Sequence, residues 1–372
     1  MGVRYSVPDA KDVEALVLKP EIREFPGISH AAFQHPLDKQ ALTALEKTPL
    51  LPMFTKKFSE VFTERFIHIQ RVSGNLRVSA QQYPSLYHQY IKLAQVLDVK
   101  KLPDLYIETN PQINAFAMGL ENYTIVLYSG LIDIMEEDEL LAIIGHELGH
   151  VKCEHMLYVT MANALQLFGS VILENFLPLV GSLANVTIQL ALLEWYRKAE
   201  FSCDRAALLA VQEEPVVSNA LAKLGGFSKR LGGQIDLEQV KRQAAEYQDI
   251  GADSVIDKTI KLYVLMQQTH PYPVVRVSEI IKWANSPEYQ QILQGKYQVQ
   301  LADATEQGMA LAPLSTPTGL TCSRCKSVWP AGTAFCGKCA MNLRGAQMIC
   351  GRCLTPISPE WSACSRCGNA LK

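Results

Sequence analysis

Apolar positions recur at helical spacing through most of the chain. Phe54, Phe58, Val61, Phe62 and Phe66 fall on one face and predict a helix from Phe54 to Gln70. Shorter amphipathic segments run from Asp38 to Lys47 and from Pro84 to Leu97. The period then changes. Leu105 to Thr109, Ile113 to Met118 and Thr124 to Tyr128 are short runs of β-branched and aromatic residues, separated by Asn-Pro and Gly-Leu-Glu-Asn breaks. They predict a small antiparallel sheet whose edge could accept an extended peptide as a further strand. Behind an acidic cluster at Glu136 to Glu139 comes an apolar run of helical length, Leu140 to Val151. Acidic residues suit a helix N-terminus.

Leu157 to Leu193 is apolar in a different way. Its 37 residues carry one charge, Glu174, and Pro178 and Gly181 divide it. Thr160, Asn163, Ser170 and Glu174 share one helical stripe; Ser182, Asn185 and Gln189 share another. The pattern predicts two helices, each with a narrow polar seam. A spanning helix needs about 20 apolar residues, and each half is near or under that length. A hairpin in or on a bilayer and a hairpin buried in protein fit equally well. The elements together predict an α+β chain that is mainly helical.

Composition narrows the function classes. The chain has 372 residues and a formal net charge of −2, so no overall field points to nucleic acid or lipid. Of ten cysteines, eight lie in the last 51 residues, and only Cys153 and Cys203 lie elsewhere. That clustering favours metal binding in a reducing compartment over a disulfide scaffold. The first residues show no apolar signal core, which predicts a cytoplasmic location, with 157–193 as the stretch that would meet the cytoplasmic face of a membrane.

The central chemistry lies in His146-Glu147-Leu-Gly-His150. Residues four apart on a helix share a face, so both histidines can reach one ion. Glu147 is one step round, placed to take a proton from water. This is the metalloprotease arrangement, with zinc on two imidazoles and a carboxylate as general base. Two incidental histidines in a core helix would bury polar groups without partners. Zinc in such sites takes a third protein ligand. Glu174 is one candidate, but it lies inside the apolar stretch. Glu200 is the better candidate, four residues before Asp204 in Arg197-Lys-Ala-Glu-Phe-Ser-Cys-Asp-Arg. Glu200 would ligate, and Asp204 would accept a hydrogen bond from a ligating histidine and fix its tautomer. The plain alternative for this segment is a solvated charged face.

Taken in order, His146-Glu-x-x-His150, an apolar hairpin and Glu200-x-x-x-Asp204 resemble the gluzincin metallopeptidases of the HtpX and CAAX-prenyl protease type. Asn114-Ala115 ahead of the zinc helix and His270-Pro-Tyr-Pro-Val-Val-Arg276 extend the resemblance over roughly residues 75 to 285. It implies a zincin-type catalytic domain. It also implies that Asn114 and Ala115 flank the substrate cleft, that His270 stabilises the oxyanion, and that Arg276 pairs with acidic residues near the site. It implies a peptidase and leaves the substrate open.

The tail carries Cys322-x-x-Cys325, Cys336-x-x-Cys339, Cys350-x-x-Cys353 and Cys364-x-x-Cys367, a repeat of 28 residues. Two four-cysteine zinc ribbons account for the spacing, and the tail resembles double zinc ribbon modules. Thr321 to Lys372 holds seven basic residues and one acid, so two metal centres of −2 leave it near +2. That weak charge argues against nucleic acid and for a protein partner. The expected layout is an N-terminal helical segment at 1–75, a peptidase domain at 76–300, a linker at 301–320 and the ribbons at 321–372. The leading expectation is a zinc endopeptidase acting on protein or peptide, with one catalytic and two structural Zn²⁺, in protein quality control at or near a membrane. The alternative is a non-catalytic zinc-ribbon protein that binds protein or nucleic acid and keeps an inactive peptidase-like domain.

Overall fold

In the computed structural model, one strand sits at the centre of the catalytic region. Thr124 to Leu127 are buried on both faces, and this strand, β4 (Thr124–Tyr128), lies between β2 (Asp104–Glu108) and β3 (Ala115–Met118). With β1 (Leu76–Arg77) the sheet order is β1-β2-β4-β3. The sheet is mixed, contrary to the antiparallel sheet expected. β3 and β4 form an antiparallel pair, but β2 and β4 run parallel, with Tyr106 opposite Val126. The reason is that β4 inserts between β2 and β3 rather than adding outside β3. A strand that is apolar on both faces gains most from a central place. β3 is left at the edge.

The structure describes residues 22–49, 51–61, 64–164, 182–228, 230–231, 234–250, 254, 256–257, 271–300, 319–321, 328–330 and 348–349. It forms two compact units, one of Met1–Val78 with Gln89–Gln300, the other of Ser79–His88 with Leu301–Lys372. In the first, α1 (Pro36–Glu46), α2 (Leu51–Val61) and α3 (Glu64–Gly74) precede the sheet, and α4 (Pro84–Val96) follows β1 in the chain. After β4, the short α5 (Ser129–Ile132) leads into α6 (Glu137–Lys152). At the start of α6, the Glu136 backbone N–H donates to Glu139 at 2.7 Å, and Lys223 holds the same Glu139 at 2.6 Å.

Helix α6 stops in a turn that keeps the chain beside it. Glu154 takes φ +60°, the Glu154 N–H returns to Val151 O, and the His155 N–H returns to His150 O. This paired closure satisfies the terminal carbonyls. It carries His155 back under His150, their rings 5.6 Å apart. Residues 156–164 are helical and are termed α7. The following helix is α8 (Ser182–Val211), then α9 (Glu214–Gly226), α10 (Leu237–Asp249) and α11 (Pro273–Ala284). α8 joins two segments that the sequence suggested as separate, the second apolar half and the Glu200 segment. Pro178 and Gly181, the expected divide, lie outside the described residues.

Both described ends of the apolar stretch contribute to a buried core. Val159, Met161 and Ala162 of α7 and Ile188, Leu192 and Trp195 of α8 pack in one core with Leu45, Leu51, Phe54 and Phe58. Among the described residues no helix is long and apolar enough to cross a membrane. In the second unit, three short strands pair antiparallel, with Gly319–Thr321 between Val328–Pro330 and Met348–Ile349. The eight tail cysteines lie outside the described residues.

Candidate active site

Helices α6 and α8 meet through small residues. A Cβ on Gly145 would lie 2.7 Å from the Ala210 Cβ, and one on Gly149 would lie 2.8 Å from the Ala206 Cβ and 3.0 Å from the Cys203 Cα. Only glycine permits that approach. The backbones are therefore close enough for side chains one residue along α6 to meet carboxylates on α8.

They do meet. His146 Nε2 lies 3.4 Å from Glu200 Oε2, and His150 Nε2 lies 3.3 Å from Glu200 Oε1. All three side chains are buried. On the other side of the His146 ring, Nδ1 lies 3.0 Å from Asp204 Oδ1. A carboxylate only accepts, so Nδ1 donates and Nε2 is turned toward Glu200. Arg276 of α11 closes the cluster. Its Nε donates to Asp204 Oδ2 at 2.9 Å, its Nη2 to Asp204 Oδ1 at 2.6 Å, and its Nη1 lies 3.3 Å from Glu200 Oε2. The Nη2 also lies 3.2 Å from His146 Nδ1.

The electrostatics follow from burial and charge. Burial opposes charge on His146, but Glu200 and Asp204 outweigh it and hold its pKa up. Burial dominates at His150 and lowers it. Burial raises Asp204, but Arg276 outweighs that and keeps it below the usual carboxylate range. Glu147 is pushed up to about 7 by burial, against the pull of His146. One of its oxygens, Oε2, is buried with no hydrogen-bond partner among the described residues. A carboxyl poised near neutrality is suited to passing a proton.

The donor set fits a zinc ion. Two imidazoles and a carboxylate converge from two helices, and the histidine with a clear outer partner, His146, has the carboxylate-imidazole pairing that metal ligands use. Cys203 is a competing donor. Its sulfur lies within 4.8 Å of a ring nitrogen of each histidine. Burial raises the pKa of its thiol, whereas Glu200 faces the Nε2 atoms of both histidines directly. Both Glu200 and Cys203 are candidates for a third ligand.

A cavity of about 220 Å³ opens on this cluster. Asn114, Ala115, His146, Glu147, Glu200 and Arg276 line it, as do Pro271 and Tyr272. His270, assigned above to the oxyanion, lies outside the described residues, as does Glu174.

A buried layer beneath the histidines went unread in the sequence. Asp38 of α1 accepts hydrogen bonds from Ser202 at 2.6 Å and Gln34 at 3.1 Å and meets His155 Nε2 at 3.2 Å. His155 Nδ1 lies 3.8 Å from Cys203 Sγ. Asp38 sat in a segment whose amphipathic pattern promised only packing. The available signals were His155 just past the zinc helix and Ser202 between Glu200 and Asp204.

The chain is similar to known proteins. The profile of peptidase family M48 matches residues 80–284, and that of the double zinc ribbon matches residues 322–368. The chain is 34% identical over 292 residues to the plastoglobule-localized metallopeptidase 48 of Arabidopsis thaliana, covering 78% of this chain and 81% of that protein. It is 29% identical over 191 residues to the protease HtpX homolog of Moorella thermoacetica, covering 45% of this chain and 63% of that protein. A further HtpX homolog, from Sulfurovum sp., is 29% identical over 203 residues, covering 48% and 68%. With a buried His-Glu-x-x-His helix facing Glu200 and a matching profile across the catalytic region, the chain belongs to peptidase family M48, as an HtpX-like zinc metallopeptidase with a double zinc ribbon.

Proposed function

We propose that the chain is a zinc endopeptidase in which His146, His150 and Glu200 hold the catalytic ion. The observation that carries this is the approach of both Nε2 atoms to the two oxygens of Glu200, at 3.4 and 3.3 Å. Zinc at such a site lowers the pKa of water to about 7 and polarises a carbonyl. The protein's residues do the rest. Glu147 accepts the proton of the attacking water and delivers it to the leaving amine. Asp204 holds the His146 ring in one tautomer, and Arg276 holds Asp204. Asn114 and Ala115 border the cleft, and an extended polypeptide adds to the β3 edge there, recognised through its backbone. His270, directly before the cavity residue Pro271, hydrogen-bonds the developing oxyanion.

The substrate class is unfolded or extended protein, because backbone pairing imposes little sequence demand. Protein quality control at or near the cytoplasmic face of a membrane suits that chemistry, with 157–193 as the membrane-proximal element. The tail would hold two further zinc ions on Cys322, Cys325, Cys336 and Cys339, and on Cys350, Cys353, Cys364 and Cys367, and would dock a protein partner.

The test is Glu147→Gln. This variant is expected to keep its zinc and lose cleavage of unfolded protein by at least about a hundredfold, the usual span of general base catalysis. Cleavage at the wild-type rate would refute the mechanism.

A further inference from the structure

The backbone groups of β3 alternate between its partner and the open side. Tyr128 donates its N–H to Asn114 O at 3.1 Å, and Phe116 lies opposite Val126. In an antiparallel pair this sets the parity, so Asn114, Phe116 and Met118 bond toward β4, and Ala115, Ala117 and Gly119 face outward.

Two of the three outward positions are already occupied. Thr160 Oγ1 accepts from the Gly119 N–H at 2.9 Å and donates to Gly119 O at 3.1 Å. One hydroxyl thereby replaces both groups of a partner-strand residue. Asn163 Nδ2 donates to Ala117 O at 3.3 Å, and the Ala117 N–H bonds to the Glu147 carboxylate. Thr160 is fully buried. Both side chains come from α7, from the polar seam of the apolar stretch. Ala115 differs, because its outward groups meet no partner among the described residues. The cavity agrees with this division. Ile113, Asn114 and Ala115 line it, and Ala117 and Gly119 do not.

We propose that Thr160 and Asn163 are specificity-determining residues that close one end of the edge strand, so that a bound peptide pairs at Ala115 and not beyond it toward Gly119. This rests on the reading of β3 as the substrate edge. An open edge strand offers a peptide a pair of hydrogen bonds at every second residue. Here the pair at Ala115 is on offer, and those at Ala117 and Gly119 are taken. The cleft is one-sided, open on the Ile113 side of Ala115 and closed on the Ala117 side. Its fitting substrate is an extended chain cut near one terminus, or where the chain turns out of the cleft.

The test uses the zinc-loaded full chain and an unstructured peptide with one cleavage site. The peptide is lengthened one residue at a time on either side of that site, and KM is followed. In the wild type, KM should fall with length on one side and stay flat on the other beyond the first residue. Thr160→Ala with Asn163→Ala should open the closed end, and KM should then fall on that side too, by roughly fivefold per hydrogen bond gained. Thr160→Ser keeps the hydroxyl and should keep the wild-type profile. Amide exchange without substrate gives a second reading in the wild type. The Gly119 amide should be protected and the Ala115 amide should exchange freely. A wild type whose KM falls equally on both sides, an unchanged profile in the folded double variant, or equal exchange at Ala115 and Gly119 overturns this inference and leaves the peptidase reading standing. A wild type that cleaves no peptide overturns both.

Discussion

Arg276 grips Asp204 with two nitrogens, Nε at 2.9 Å and Nη2 at 2.6 Å, and the gripped carboxylate is the one that faces His146 Nδ1. Two parallel bonds fix the carboxylate plane as well as its position. Asp204 can then fix the ring. Asp204→Asn should bind zinc about 10- to 100-fold more weakly, the usual effect of losing a ligand's outer partner. Arg276→Lys should lose part of the same affinity, because an ammonium cannot make the paired contact. Competition against a chelator measures both. Wild-type affinity in Asp204→Asn would show that the pairing does not serve the metal.

Asp38 predicts a pH dependence of stability. Burial raises its pKa, but the hydrogen bond from His155 and that from Ser202 outweigh it, so the folded value is lowered. A lowered folded pKa means that the native state favours the ionised form. The stabilisation is complete above the unfolded value of about 3.9 and is lost as pH falls through the lower folded value. Asp38→Asn should cost about 1–3 kcal/mol at pH 7. The gap to wild type should narrow as the pH drops below about 4. Thermal unfolding at pH 7 and pH 3 checks this, and a gap that widens in acid would contradict it.

The glycine contact between α6 and α8 predicts a coupling of packing to metal binding. A methyl on Gly149 would press on Ala206 and on the Cys203 backbone. Overpacking of this kind costs about 1–3 kcal/mol, against roughly 1 kcal/mol regained in helix propensity for alanine. Gly149→Val lacks that gain and should be the more destabilised. Both should also release zinc faster, because spreading the helices carries Glu200 away from the imidazoles. Denaturant midpoints and zinc release rates should therefore move together.

The tail predicts a count. Wild type should carry about three zinc ions per chain, and Cys350→Ser about two, with four-cysteine sites each holding one. Metal analysis gives the number. Peptide cleavage by Cys350→Ser at the wild-type rate is expected, because none of the residues placed around His146 and His150 comes from the tail.

The relation between sequence and structure is uneven along this chain. His146, Glu147 and His150 were legible because a helix fixes what lies four residues on, and Glu200 with Asp204 followed by the same rule. The tail was legible because eight cysteines at a strict repeat admit few other uses. Local periodicity carried those readings. It could not say that β4 enters between β2 and β3, since strand order is a choice among global packings; the parallel pair came from burying β4 on both faces. Nor could it place Asp38, which reaches Ser202 and His155 from 164 and 117 residues away along the chain. The seam of Thr160 and Asn163 was visible as a stripe, but its use depended on which strand was left at the edge. Sequence by itself determined the candidate donors and their spacing. Tertiary structure alone decided what faces that chemistry, because hydrogen bonds between distant segments exist only once the chain has closed.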